Sequence, residues 1–143
     1  MAVVRPGSPS QRGQVVELGE VEWRLPVHGA VLGVARQYAR VACRSWRDRE
    51  ACDVVLLIVS ELLGNAVKAA SGTCIRLRLA WPARRVRIEV SDDGDTMPVP
   101  REAGPTEEGG RGLWLVGTLA VRWGAFRQGR GKCVWAEVAL PAG

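Results

Sequence analysis

The chain has 143 residues, 47% of them hydrophobic and 24% charged, a balance that fits one globular domain and excludes disordered and fibrous classes. The net charge of +5 comes almost wholly from arginine, since Lys68 and Lys132 are the only lysines; such a surface suits acidic partners and says nothing about fold. The longest aliphatic run, residues 54–59, stops at Ser60 and Glu61, far short of the roughly 20 apolar residues that cross a bilayer.

The opening residues MAVVRPGSPSQRG lack an apolar core of signal-peptide length, so a cytoplasmic location with no membrane contact is expected. Their Pro, Gly, Ser and Arg content predicts a flexible tail over residues 1–13, with the folded domain over 14–143. Residues 15–25 carry enough Val, Leu and Trp for a first strand, stopped by Pro26. Val31, Val34, Ala35, Tyr38, Val41 and Ala42 recur at helical spacing and predict a helix with an apolar face. Arg36, Arg40, Arg44 and Arg47 recur on another side of it as a basic stripe, a candidate docking surface for an acidic protein.

Asp48 is placed to cap a second helix over residues 50–70, which Ser71-Gly72 would end. Residues 75–81 and 86–90 alternate apolar and charged side chains, predicting a hairpin with arginines 76, 78 and 87 facing outward. Residues 94–109 are rich in Pro and Gly and predict a loop. A short helix over 112–120 and strands over 121–127 and 133–140 complete the chain. The expected class is α+β, a two-layer sandwich with helices covering one face of a mostly antiparallel sheet.

Four cysteines, Cys43, Cys52, Cys74 and Cys133, form no CxxC pair, which argues for reduced thiols and against a zinc site or disulfide framework. His28 is the lone histidine, so a surface or capping role is expected of it. The six tryptophans fall mostly in apolar strand or helix contexts and are expected in the core.

Three stretches carry candidate chemistry. In SELLGNA, Glu61 and Asn65 are four apart on the second helix and leave the same face. A carboxylate beside an amide oxygen suits proton abstraction and Mg²⁺. In VSDDGD an apolar strand ends in acids and a glycine. Asp92 there could accept from an exocyclic amine, and Gly94 would let a flat base approach the backbone. In EEGGRGLW a glycine cluster opens a helix, whose N-terminal amides form an anion site, with Arg111 adding charge-assisted bonds. Alone, each has an ordinary reading: an exposed helix pair, a turn, a glycine-rich helix start. The spacing is neither that of a P-loop nor that of a Rossmann fingerprint.

In combination and in this order, Glu61-xxx-Asn65, Asp92-x-Gly94 and Gly110-x-Gly112 resemble the asparagine, adenine and glycine boxes of the histidine kinase-like (GHKL) ATPase superfamily. The strings SELLGNAV, VSDDGD, GGRGLWLV and GKCVWAEVALP resemble its short bacterial anti-sigma-factor serine/threonine kinases. The resemblance covers residues 15–141 and implies a mixed, mostly antiparallel sheet of Bergerat type. It implies ATP and Mg²⁺ as cofactors, with Asn65 on the metal, Asp92 on the adenine amine and Gly94 under the base. Gly110, Arg111, Gly112 and Leu113 would form the phosphate loop beneath a lid over residues 95–109. Glu61 would be the general base, Lys68 a phosphate contact, and Cys133 would stand where the family places a threonine near the aspartate. The implied partners are a sigma factor and an anti-anti-sigma (STAS-type) protein, with a homodimer by analogy and no direct nucleic-acid contact.

The chain also departs from that pattern. Glu107 and Glu108 precede the glycine cluster and would repel phosphate oxygens, which favours a second reading, a nucleotide-dependent partner-binding module without kinase activity. A basic nucleic-acid binder is a third, but backbone-phosphate binding needs none of the three ordered motifs.

Overall fold

The computed structural model describes residues 2–6, 19–28, 30–69, 74–82, 84–94 and 111–140. Period-two patterning builds the sheet. In β2 (Gly19–Pro26), β3 (Cys74–Ala80) and β4 (Arg85–Asp92) alternate residues are buried, and with β1 (Ala2–Pro6), β5 (Arg122–Gln128) and β6 (Gly131–Ala139) they form six strands in the order β1-β2-β3-β4-β6-β5. All the pairings among the described residues are antiparallel, so the parallel component of the expected mixed sheet is not found there. The register places Ile88 between Leu79 and Ala136, and Val90 between Leu77 and Val134. One face of the sheet is thereby a continuous apolar surface.

Helices α1 (Val31–Ala42), α2 (Arg49–Ala69) and α3 (Arg111–Leu119) cover that face. The α2 residues Cys52, Val55, Ile58, Val59, Leu62, Leu63 and Ala66 are buried at three- and four-residue steps, the stripe an amphipathic helix turns to a core. Full burial of each large aliphatic side chain contributes about 1.5–3 kcal/mol. The helix starts where expected, the Ala51 amide donating to Asp48 Oδ1 at 2.9 Å. Its other expected end, Ser71-Gly72, lies outside the described residues. His28 Nδ1 accepts from the Ala30 amide at 3.0 Å, just ahead of α1, and α1 itself has no side-chain cap among the described residues.

The α1 face differs from expectation. Val31, Ala35 and Ala39 are buried, whereas Val34, Tyr38 and Val41 are 45%, 43% and 55% exposed. Small residues at i, i+4 and i+8 form a narrow contact with α2 and β2, which leaves the wider apolar stripe on the surface; Tyr38 partly covers itself by stacking on Trp23 at 5.8 Å. The expected tail also needs correction. Ala2–Pro6 is an edge strand on β2, because Val3 and Val4 supply β-branched propensity that the Pro, Gly and Ser around them mask in a composition count. Residues 7–18 lie outside the described residues, as do residues 95–110, which hold the lid expected over 95–109 and all but Gly94 of the loop expected over 94–109.

The opposite sheet face carries an ion-pair ladder. Arg78 donates to Glu20 at 2.7 Å and Glu89 at 2.9 Å, Arg87 to Glu89 at 2.8 Å and Glu137 at 3.1 Å, and Arg122 to Glu137 at 2.8 Å. Arg76 pairs with Glu22 at 3.4 Å. Arginines 76, 78 and 87 therefore have carboxylate partners within the chain. Trp135 lies under Arg87, 4.2 Å from the guanidinium, on this outer face, and Trp114 is 38% exposed; neither is the core residue expected. Trp23 and Trp46 are buried as expected. All four cysteines are free.

Candidate functional site

The alternation that buries Val86, Ile88 and Val90 continues one step further and delivers Asp92 to the helix-facing side at the end of β4. A carboxylate is thus held at a core position, its side chain 1% exposed. Asp92 Oδ1 accepts from the Gly94 amide at 2.7 Å and from Lys132 Nζ at 3.0 Å. Oδ2 is buried without a hydrogen-bond partner. Such an orphan oxygen is costly unless something fills it.

Lys132 is the residue directly opposite Asp92 on β6, and its side chain is only 5% exposed. It was not among the residues expected at the site. Cys133, which was, sits one step along β6, opposite Ser91 on the other sheet face. Burial pushes its thiol above the ordinary value, with a hydrogen bond to Ser91 opposing. The alternation of a strand allows only one of these two neighbours to stand beside Asp92, and it is the lysine.

Gly94 is buried where any Cβ would meet the Ala69 carbonyl and Asp92 Oδ1. Its lack of a side chain brings the end of β4 against the last turn of α2. One turn back on α2 is Asn65, and one turn before that Glu61; both are half-buried, and neither has a hydrogen-bond partner among the described residues. Lys68 is exposed in the last turn of α2, where a cation suits the helix C-terminus.

α3 packs on α2 and β5 and is described from Arg111 onward. Leu113 is 4% exposed in the core cluster and anchors that helix start instead of touching a phosphate through its side chain. The side chains of Arg111 and Gly112 lie outside the described residues, as does Gly110.

Three features therefore gather around the end of β4: a buried acceptor with a free lone pair, a buried ammonium, and the last turns of α2, which carry Asn65 and, one turn further back, Glu61. This arrangement fits a purine nucleotide. A family model described as "Histidine kinase-like ATPase domain" matches residues 27–138. The chain belongs to that family. Another relative is the uncharacterized protein SCO4941 of Streptomyces coelicolor, 39% identical over 71 residues, which is 48% of this chain and 68% of the relative.

For a histidine kinase-like ATPase domain, ATP binding is the family property and Mg²⁺ its usual companion. The donors present fit both. Asp92 Oδ2 offers a nucleobase amine its acceptor. No group of three or more His, Cys, Asp and Glu gathers among the described residues, so Mg²⁺ would rest on the Asn65 oxygen and on phosphate oxygens, as it usually does with nucleotides. No described helix is long and apolar enough to cross a membrane.

Proposed function

We propose that this chain is an ATP-binding regulatory protein of the anti-sigma-factor kinase type. In this reading it phosphorylates a serine on an anti-anti-sigma (STAS-type) partner and sequesters a sigma factor. The observation that carries the nucleotide half is the orphan Oδ2 of Asp92, a buried acceptor fixed by two donors on its sister oxygen. The kinase half rests on Glu61, whose carboxylate has no partner among the described residues and stands one turn from Asn65. Bound Mg²⁺ neutralises phosphate charge.

In the phosphotransfer step the serine Oγ forms a bond to the γ-phosphorus as the bond to the ADP oxygen breaks, and the hydroxyl proton passes to Glu61. Asn65 orients the nucleotide end of this assembly, and the α3 amides receive the phosphates.

Glu107 and Glu108 beside the glycine cluster favour a second reading, in which the nucleotide controls partner capture without transfer. Calorimetric titration of Mg²⁺-ATP into the wild type and Asp92→Asn tests the pocket: micromolar-range binding is expected, lost in the variant. A wild type that binds no ATP overturns both readings. Glu61→Ala then separates them, since loss of phosphoryl transfer with ATP and partner binding retained marks a kinase, and an unchanged phenotype marks a binding module.

A further inference from the structure

The pairing of Lys132 with Asp92 gives the pocket a donor as well as an acceptor. Lys132 Nζ spends one proton on Asp92 Oδ1, at 3.0 Å, with the lysine side chain 5% and the aspartate 1% exposed. The other two ammonium protons have no partner among the described residues, and Asp92 Oδ2 has none either. A buried lysine with spare donors and a buried carboxylate with a spare acceptor therefore stand side by side, both fixed by direct strand register. Unpaired capacity of this kind inside a fold calls for a ligand that presents the inverse pattern.

We propose that Lys132 is a base-contacting residue that donates to N1 of adenine while Asp92 Oδ2 accepts from the exocyclic N6 amine. The inference rests on the ATP reading above. Adenine carries an N–H donor and a ring-nitrogen acceptor next to each other on this edge, so a carboxylate oxygen flanked by an ammonium matches both at once. Because Oδ1 is already filled by Gly94 and Lys132, only one carboxylate oxygen remains for the base. The pair thus reads one donor and one acceptor and lacks the second free oxygen that guanine's N1–H and N2–H would engage together.

The test compares ADP with 1-deaza-ADP, in which N1 is a C–H, by calorimetry on the wild type, Lys132→Met and Lys132→Arg. A hydrogen bond to a charged donor makes ADP bind the wild type at least about tenfold more tightly than the analogue. That gap should collapse in Lys132→Met and survive in Lys132→Arg. A gap equally large in Lys132→Met, or no gap in the wild type, overturns the inference while leaving ATP binding intact; failure of the folded wild type to bind ADP at all removes the ATP reading and this inference with it.

Should Lys132→Met not fold, the wild type alone decides. With two lysines in the chain, the side-chain ammonium resonance of Lys132 is assignable by comparison with Lys68→Arg. It should shift on adding ADP and remain in place with 1-deaza-ADP, and equal shifts with both ligands overturn the assignment.

Discussion

Single residues on this sheet act through charge, and Glu137 is the clearest case. Its carboxylate receives hydrogen bonds from Arg122, Arg87 and Arg85. The Arg122 bond leads in holding it below the ordinary 4.5, with burial opposing. A carboxyl whose folded value is depressed stabilises the fold above its unfolded value and loses that contribution as pH falls through the folded one. The melting temperature of Glu137→Gln should therefore lie furthest below wild type near pH 7, with the gap narrowing as the pH falls below the ordinary carboxylate value of 4.5, and a gap that is constant across a pH series would refute this account. Glu89 follows the same sign: burial alone would raise it, but the bonds from Arg87 and Arg78 outweigh burial. At this scale Asp92 was legible, because an aspartate ending an apolar alternation stands out in sequence. Lys132 was not, because a lysine in a strand reads as solvent-facing until the register puts it opposite a carboxylate 40 positions away.

Elements show what local pattern can and cannot reveal. α2 was readable from its cap to its apolar stripe, since Asp48 and the spacing of Val55, Ile58, Leu62 and Ala66 are local signals. Asp48→Ala removes the acceptor for the Ala51 amide and should cost about 1 kcal/mol of stability, read as a lower urea midpoint with an unchanged slope. α1 was placed correctly, but its face was not. Ala35 and Ala39 bury completely while Tyr38 and Val41 do not, and no periodicity count distinguishes a contact made by small residues from one made by large ones. The N-terminal strand escaped for a different reason: five residues of a two-strand edge pairing have too little signal to outweigh adjacent prolines and glycines. Leu113, just beyond the glycine cluster, packs in the core, whereas Gly110 lies outside the described residues.

At the scale of the whole molecule, the site is an assembly of distant segments. Asp92 and Lys132 meet because β4 and β6 pair, and α2, which carries Asn65, packs across both strands. A ligand gripping α2, β4, β6 and α3 together should raise global stability. Mg²⁺-ATP at about 100 times its dissociation constant contributes roughly 2.7 kcal/mol, so the melting temperature should rise by about 5–10 °C for a chain of this length. Asp92→Asn should abolish the rise, which differential scanning fluorimetry would show directly. The order of the motifs along the chain pointed to a site drawn from separate elements, but the partner that the register gives Asp92 is invisible in any one motif.

The β5–β6 hairpin closes with two residues, Gly129 and Arg130, between the paired Gln128 and Gly131, and Gly129 has φ +60°, the pattern of a type II′ turn. This turn sets the phase of β6, and strand faces alternate with period two. Inserting or deleting a single residue within β6 ahead of Lys132 would carry Glu137 toward the helices, Val138 outward, and Lys132 away from Asp92, so one frame of length governs the ladder, the core and the pocket together. Length variation in descendants of this sequence should therefore be purged at residues 129–132, even where substitutions there are tolerated.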